Sequence, residues 1–107
     1  MQIVIFEVVI KDGKHNEYLD IAAKLRPLLE KVDGFISVER FQSLNDPKKL
    51  LSLSFWRDSA AVARWRTQSQ HMDAQSKGNT DVFSDYKITV ANAIRSYGMT
   101  ERTQAPD

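Results

Sequence analysis

The chain of 107 residues has no cysteine, which excludes a disulfide framework, a thiolate nucleophile and a thiolate-bound metal. A chain without thiols suits a reducing compartment, and a cytoplasmic location is expected. Histidine occurs only at His15 and His71, and no His/Asp/Glu cluster surrounds either, so no metal site is expected. Charge of one sign is also lacking. The 15 Lys and Arg against 14 Asp and Glu leave +1, without the basic excess that nucleic acid or an anionic membrane would require. No apolar run approaches the roughly 20 residues of a membrane helix. The N-terminal MQIVIFEVVIKDG lacks a basic start and a cleavage site and carries Glu7 in its middle, so it reads as a strand and not as a leader. Repeats, Gly-rich phosphate loops and Ser-His-Asp patterns are absent from the sequence.

What remains is enough for one domain. Gln2 to Ile10 is nearly continuous in its apolarity, the mark of a strand covered on both faces. Tyr18, Ile21, Ala22, Leu25, Leu28, Leu29 and Val32 fall on one helical face, predicting a helix over Asn16 to Val32, with Pro27 bending or weakening it and Gly34 stopping it. Phe35 to Leu44 alternates imperfectly and Leu50 to Trp56 follows the Asn45-Asp46-Pro47 turn, so the two form a hairpin. Asp58 is the N-cap of a second helix that weakens around Thr67 to Gln70 and resumes before Gly78. Val82 to Tyr97 is a long last strand, with Tyr86, Ile88, Val90 and Ile94 on one face and small Thr89, Ala91 and Ala93 on the other.

The order β-α-β-β-α-β is that of the α+β ferredoxin-like fold with an antiparallel sheet. Both helices then cover one sheet face. Because the first strand is apolar on both sides, the open face is expected to pack on a second copy in a symmetric homodimer. The domain spans 1–97, and 98–107 is a polar tail that is mobile or draped over a neighbour.

Glu7 is the sharpest anomaly, because a carboxylate buried in an apolar strand needs a partner or a proton. It either pairs with Arg40 or Arg95, or serves as a catalytic carboxylate. His71 is either a proton shuttle, its reference pKa lying near 6.5, or a solvated helix residue. Trp65 is either the wall of a planar-substrate pocket or plain core. Phe83 and Tyr86 either line the same cavity or simply pack. Glu39 and Arg40 are expected in an ion pair of the fold or dimer, and His15 is expected to be exposed.

The run LLSLSFWRDSAAVARWRTQSQHMDAQSKG, followed by VFSDYKITVANAIRSYG and preceded by GFISVERFQS, resembles the antibiotic-biosynthesis monooxygenase (ABM) domain family. The resemblance covers about residues 2 to 97 and rests on the strand-end Trp56, the helical Trp65 and the aromatic-rich last strand. It implies a dimeric α+β barrel and a cofactor-independent monooxygenase that oxidises a small planar, phenolic or polyketide-like compound with molecular oxygen. Trp65, Phe83, Tyr86 and Gln75 would bind the substrate, and His71 or Glu7 would take or relay the proton. Other family members degrade haem, using an Asn late in the first strand, the helical Trp and a His ten residues beyond it. Here Glu7 and Gln75 stand at the Asn and His positions. An amide is a poor iron ligand, so no haem cofactor is expected. A non-catalytic dimeric binding or stress-related domain is the alternative from a different class, and a haem-binding or haem-degrading relative is the third reading.

Overall fold

The computed structural model describes residues 1–75 and 82–106, with side chains described outside 70–75. Six elements follow in order: β1 (Gln2–Ile10), α1 (His15–Glu30), β2 (Phe35–Gln42), β3 (Lys49–Trp56), α2 (Ser59–Gln75) and β4 (Phe83–Asn92). All strand pairings are antiparallel, in the sheet order β2-β3-β1-β4. The expected ferredoxin-like α+β fold is therefore present.

Successive strand residues point to opposite faces, and the register sorts them cleanly. Val4, Phe6, Val8 and Ile10 of β1, with Leu50, Ser54 and Trp56 of β3 and Val38 of β2, look toward the helices. Two clusters form there. Val8, Ile10, Tyr18, Leu50 and Val82 make one, and Leu29, Val38, Trp56 and Ala61 make the other. Trp56 is fully buried; its Nε1 donates to Ser54 Oγ at 2.9 Å, and Ser54 Oγ in turn donates to the Val4 carbonyl. The indole N–H is thus satisfied without water.

Several element ends differ from expectation. α1 starts at His15 and stops at Glu30, its end tightened by bonds from Lys31 and Val32 to carbonyls three residues back. It continues through Pro27, which removes one donor without ending the helix. α2 does not weaken over its polar run. Thr67 Oγ1 donates to the Ala63 carbonyl and Ser69 Oγ to that of Arg66, so these side chains bond back onto the helix. Its continuation toward Gly78 lies outside the described residues. β4 stops at Asn92 and not Tyr97, because Ala93 donates to the Met1 carbonyl and β1 offers no further rung.

Two devices fix α2 over the sheet. Asp58 Oδ1 accepts from the Ala61 amide at 2.9 Å, the expected N-cap. Gly34, at φ +95°, lets the α1–β2 turn lie against α2, since a Cβ there would sit 2.6 Å from that of Ala61.

Candidate functional site

α2 carries Trp65 one turn beyond Ala61, on the helix face that meets the sheet. Trp65 is partly buried and packs on the cluster of Leu29, Val38, Trp56 and Ala61, where Val4 of β1 also packs. Next to Val4 along β1 on this face stands Phe6. Its ring meets Phe83 at 6.0 Å and Tyr86 at 5.9 Å between centroids, and Phe83 meets Tyr18 at 5.7 Å, all three edge-on. Tyr86, Ile88 and Val90 of β4 lie opposite Val8, Phe6 and Val4 and so share the helix side, yet they are 61%, 56% and 52% exposed. β4 thus extends the sheet past the helices as an apolar, aromatic shelf, with Trp65 on the side toward α2.

The expected site residues divide. Phe83 and Tyr86 come together through Phe6, and Trp65 faces the same side of the sheet. Glu7 does not. Between Phe6 and Val8 it points to the open face, where Leu51 and Lys87 are its register partners. A ring stacked on Trp65 is beyond its reach. Neither Arg40 nor Arg95 is its partner; Lys49 Nζ lies 3.3 Å from its carboxylate, whose side chain is 29% exposed, so the buried-carboxylate penalty expected from sequence is largely relieved. The same face holds a cleft of about 200 Å³ lined by Glu7, Val9, Lys49, Asp85, Tyr86 and Lys87. His71 and Gln75 belong to α2, but their side chains lie outside the described residues. His15 is exposed at the start of α1, as expected.

A larger cleft of about 480 Å³ runs along β2 and is lined by Arg26, Ser37, Glu39, Arg40, Leu53 and Phe55, among others, but not by Trp65. Glu39 and Arg40 point to opposite faces and form no ion pair with each other. Arg40 Nε is buried without a hydrogen-bond partner among the described residues.

A charged knot ties the α2 N-terminus to the α1–β2 turn. Arg57 donates from both terminal nitrogens to Asp33 at 3.2 and 3.1 Å and from Nε to Asp58 at 2.9 Å, while Arg64 donates to the Asp33 carbonyl at 2.8 Å. The Arg57 guanidinium holds both carboxyls below the usual range, and they raise its own pKa. Asp33 and Arg57 gave no signal in the sequence, because a turn residue and a strand-end residue 24 positions apart show no periodicity. Phe6 and Tyr18 were also missed as site residues; alternation with Val4 and Val8 was the signal that could have found Phe6.

Among the described residues no group of three His, Asp or Glu side chains is placed to hold a metal, and no helix is long and apolar enough to cross a membrane. Among the residues whose side chains are described, the one histidine is His15, exposed at the start of α1, and the polar groups facing the helices, such as Ser54 and Arg40, are not iron ligands; His71 and Gln75 lie outside those residues.

Comparison with known proteins agrees with this architecture. The family model described as antibiotic biosynthesis monooxygenase matches residues 1–77. Jasmonate monooxygenase ABM of Pyricularia oryzae is 44% identical over 98 residues, which are 92% of this chain and 46% of that protein, so the chain spans about half the length of this curated relative. The structure of Rv0793 from Mycobacterium tuberculosis superimposes with a TM-score of 0.77 at 12% identity, covering 91% of this chain and 98% of that one. MhuD R26S, solved with two manganese protoporphyrin IX molecules per active site, gives 0.76 at 14% identity over 92% and 99%; at such identities the likeness is one of fold. With the family model matched from the first strand into the second helix, and a relative at 44% identity over nearly the whole chain, this chain belongs to the antibiotic biosynthesis monooxygenase family.

Proposed function

We propose that the chain is a monooxygenase that uses molecular oxygen on a small ring-bearing compound, phenolic or polyketide-like, without metal or flavin, and that it works as a homodimer. The observation that carries the reading is the relative at 44% identity, a jasmonate monooxygenase by name; the shelf of Phe6, Phe83 and Tyr86, on the same side of the sheet as Trp65, gives the ring a place to lie. His71, about 9 Å along α2 from Trp65, takes the proton, and Gln75 donates to a substrate oxygen. Glu7, on the opposite sheet face, stays outside this chemistry.

The protein's task is to desolvate the substrate and remove a proton. The resulting anion transfers electrons to oxygen and a carbon–peroxide bond forms. Cleavage of the O–O bond with loss of the second hydrogen on that carbon leaves a carbonyl and water. One oxygen atom enters the product, the other leaves as water, and all four electrons come from the substrate carbon, so the overall change is CH2 plus O2 to C=O plus H2O. No external reductant is needed for a carbon activated in this way.

Oxygen uptake with a panel of hydroquinone-type and anthrone-type probes, and with jasmonate, tests the reading. His71→Ala is expected to slow probe oxidation roughly a hundredfold or more, the usual contribution of a general base, with the fold intact. Wild-type protein that adds nothing to spontaneous oxidation across the panel would leave a non-catalytic dimeric binding domain as the better account.

A further inference from the structure

We propose that Arg40 and Ser52 hold a carboxylate of the substrate, so that the compound oxidised is a ring-bearing organic acid whose ring lies on the shelf at Phe6. This rests on the monooxygenase reading above and narrows its substrate class.

The two core clusters on the helix side are separated by a single row of the sheet. Register sets Ile88, Phe6, Ser52 and Arg40 side by side across β4, β1, β3 and β2. Val8 and Leu50 of one cluster lie on one side of this row, and Val4 and Val38, packed in the other, lie beyond it. The row changes character as it crosses the sheet, from apolar Ile88 and Phe6 to polar Ser52 and Arg40. Phe6 and Ser52 stand on interior strands, yet both stay partly exposed, so the clusters do not close over them. Ser54, the next residue on the same face, is by contrast buried, accepting from Trp56 and donating to the Val4 carbonyl.

Arg40 is the member without a structural role of its own. Its Nε is buried with no hydrogen-bond partner among the described residues. Neighbouring carboxylates do not serve it. Glu39 points to the opposite face, and Glu30 on α1, the helix that packs on β2, is taken by Arg26. A guanidinium keeps its charge at any ordinary pH, so withdrawing its Nε from water unpaired lowers stability. An apolar side chain in its place would extend the packing around Val38. Binding of an anion offsets that loss, and Arg40 also borders the cleft of about 480 Å³ along β2, which leaves a solute a way in to it.

The spacing suits a carboxylate joined to a ring. Residues directly opposite in an antiparallel pair have Cβ atoms about 5 Å apart, so the Ser52 hydroxyl stands beside the Arg40 stem and can share its ligand. The Nε edge of a guanidinium presents two parallel donors that match the two oxygens of a carboxylate. Ser52 adds a third. Phe6 lies two strand spacings, about 10 Å, from Arg40, and a three-carbon stem leaning back over β3 shortens that span. A ring on Phe6 then needs only a short flexible arm to bring its acid to the guanidinium.

Calorimetric binding under nitrogen separates this site from the chemistry. The probe is a hydroquinone bearing a propanoate arm, and the control is its methyl ester. Wild type is expected to bind the acid at least roughly tenfold more tightly than the ester, and Arg40→Met to bind both alike with the ester's affinity unchanged. Ser52→Ala should weaken the acid alone, by about threefold. Arg40→Lys keeps the charge without the planar fork and should fall between wild type and Arg40→Met. Those two variants carry the test if Arg40→Met fails to fold by circular dichroism. Equal binding of acid and ester by wild type, or binding of neither, overturns the proposal. So does an acid preference undiminished in Arg40→Met or, where that variant does not fold, in both others. Wild type that binds the acid selectively but adds nothing to its oxidation in air leaves the carboxylate site standing and overturns the monooxygenase reading instead.

Discussion

The two faces of the sheet carry the same alternation and meet different fates. Toward the helices, Val8, Ile10, Leu50 and Trp56 are sealed under Tyr18, Ala22, Leu29 and Ala61. Toward the other side, Ile3, Ile5, Leu51, Leu53 and Phe55 are no less apolar, yet within one chain they remain partly exposed. On the helix side Trp56 is bonded to Ser54 and Ser54 to Val4, while Arg40 Nε is buried without a partner among the described residues. The open side keeps loose charges at one end. An apolar strand therefore reports that burial is needed, but not whether the cover belongs to the same chain.

Three substitutions probe this contrast. Trp56→Ala removes the largest fully buried side chain on the helix side and is expected to lower the unfolding free energy by about 3–5 kcal/mol in denaturant titration. Leu53→Asp puts a carboxylate on the open side. Far-UV circular dichroism should hardly change, while the dimer dissociation constant rises about a hundredfold, equivalent to about 2.7 kcal/mol. If that variant instead unfolds as Trp56→Ala does, the open face belongs to the core of the single chain and the contrast dissolves. Trp65→Ala, at the boundary between core and shelf, should cost clearly less than Trp56→Ala, about 1–2 kcal/mol for a partly buried ring, and should weaken probe binding more than stability. A cost equal to that of Trp56 would make Trp65 plain core.

The smallest effect is expected at the charged knot. The Asp33 carboxyl titrates below its unfolded value near 3.8 because Arg57 favours the ionised form. Its contribution is present in full above that value and is lost as pH falls through the lower, folded one. Asp33→Asn should therefore melt slightly earlier than wild type at pH 7 and together with it near pH 2. A gap that persists in acid would point to packing and not charge.

Much of this was legible in residue order. Period-two and period-3.6 patterns named six elements and the Asp58 cap, and the order of elements led to the fold. Glu7 shows where legibility stopped. Alternation puts it on the same face as Ile3, Ile5 and Val9, but nothing in that rule says which face the helices choose. Residue order leaves open an ion pair with Arg40 or Arg95 or a catalytic carboxylate, whereas the side chain lies beside Lys49 on the open side. Alternation puts Tyr86 and Ile88 on one face, as the register does. Their exposure depends on how far the helices reach across the sheet, which is a property of packing and has no periodic trace.

The pairing of β1 with β4 has a consequence for how the chain is made. β1 is an interior strand, but one of its two neighbours is the last strand of the fold, with Gln2 opposite Asn92, 90 residues away. During synthesis β1 can find β3 once about half of the domain has emerged, yet it keeps an open row of backbone donors and acceptors until β4 arrives. Contacts so distant in sequence slow folding, and the unfinished sheet exposes an apolar edge while it waits. A nascent chain stalled before residue 83 is thus expected to be held by chaperones, and release should coincide with the emergence of β4 rather than accrue gradually.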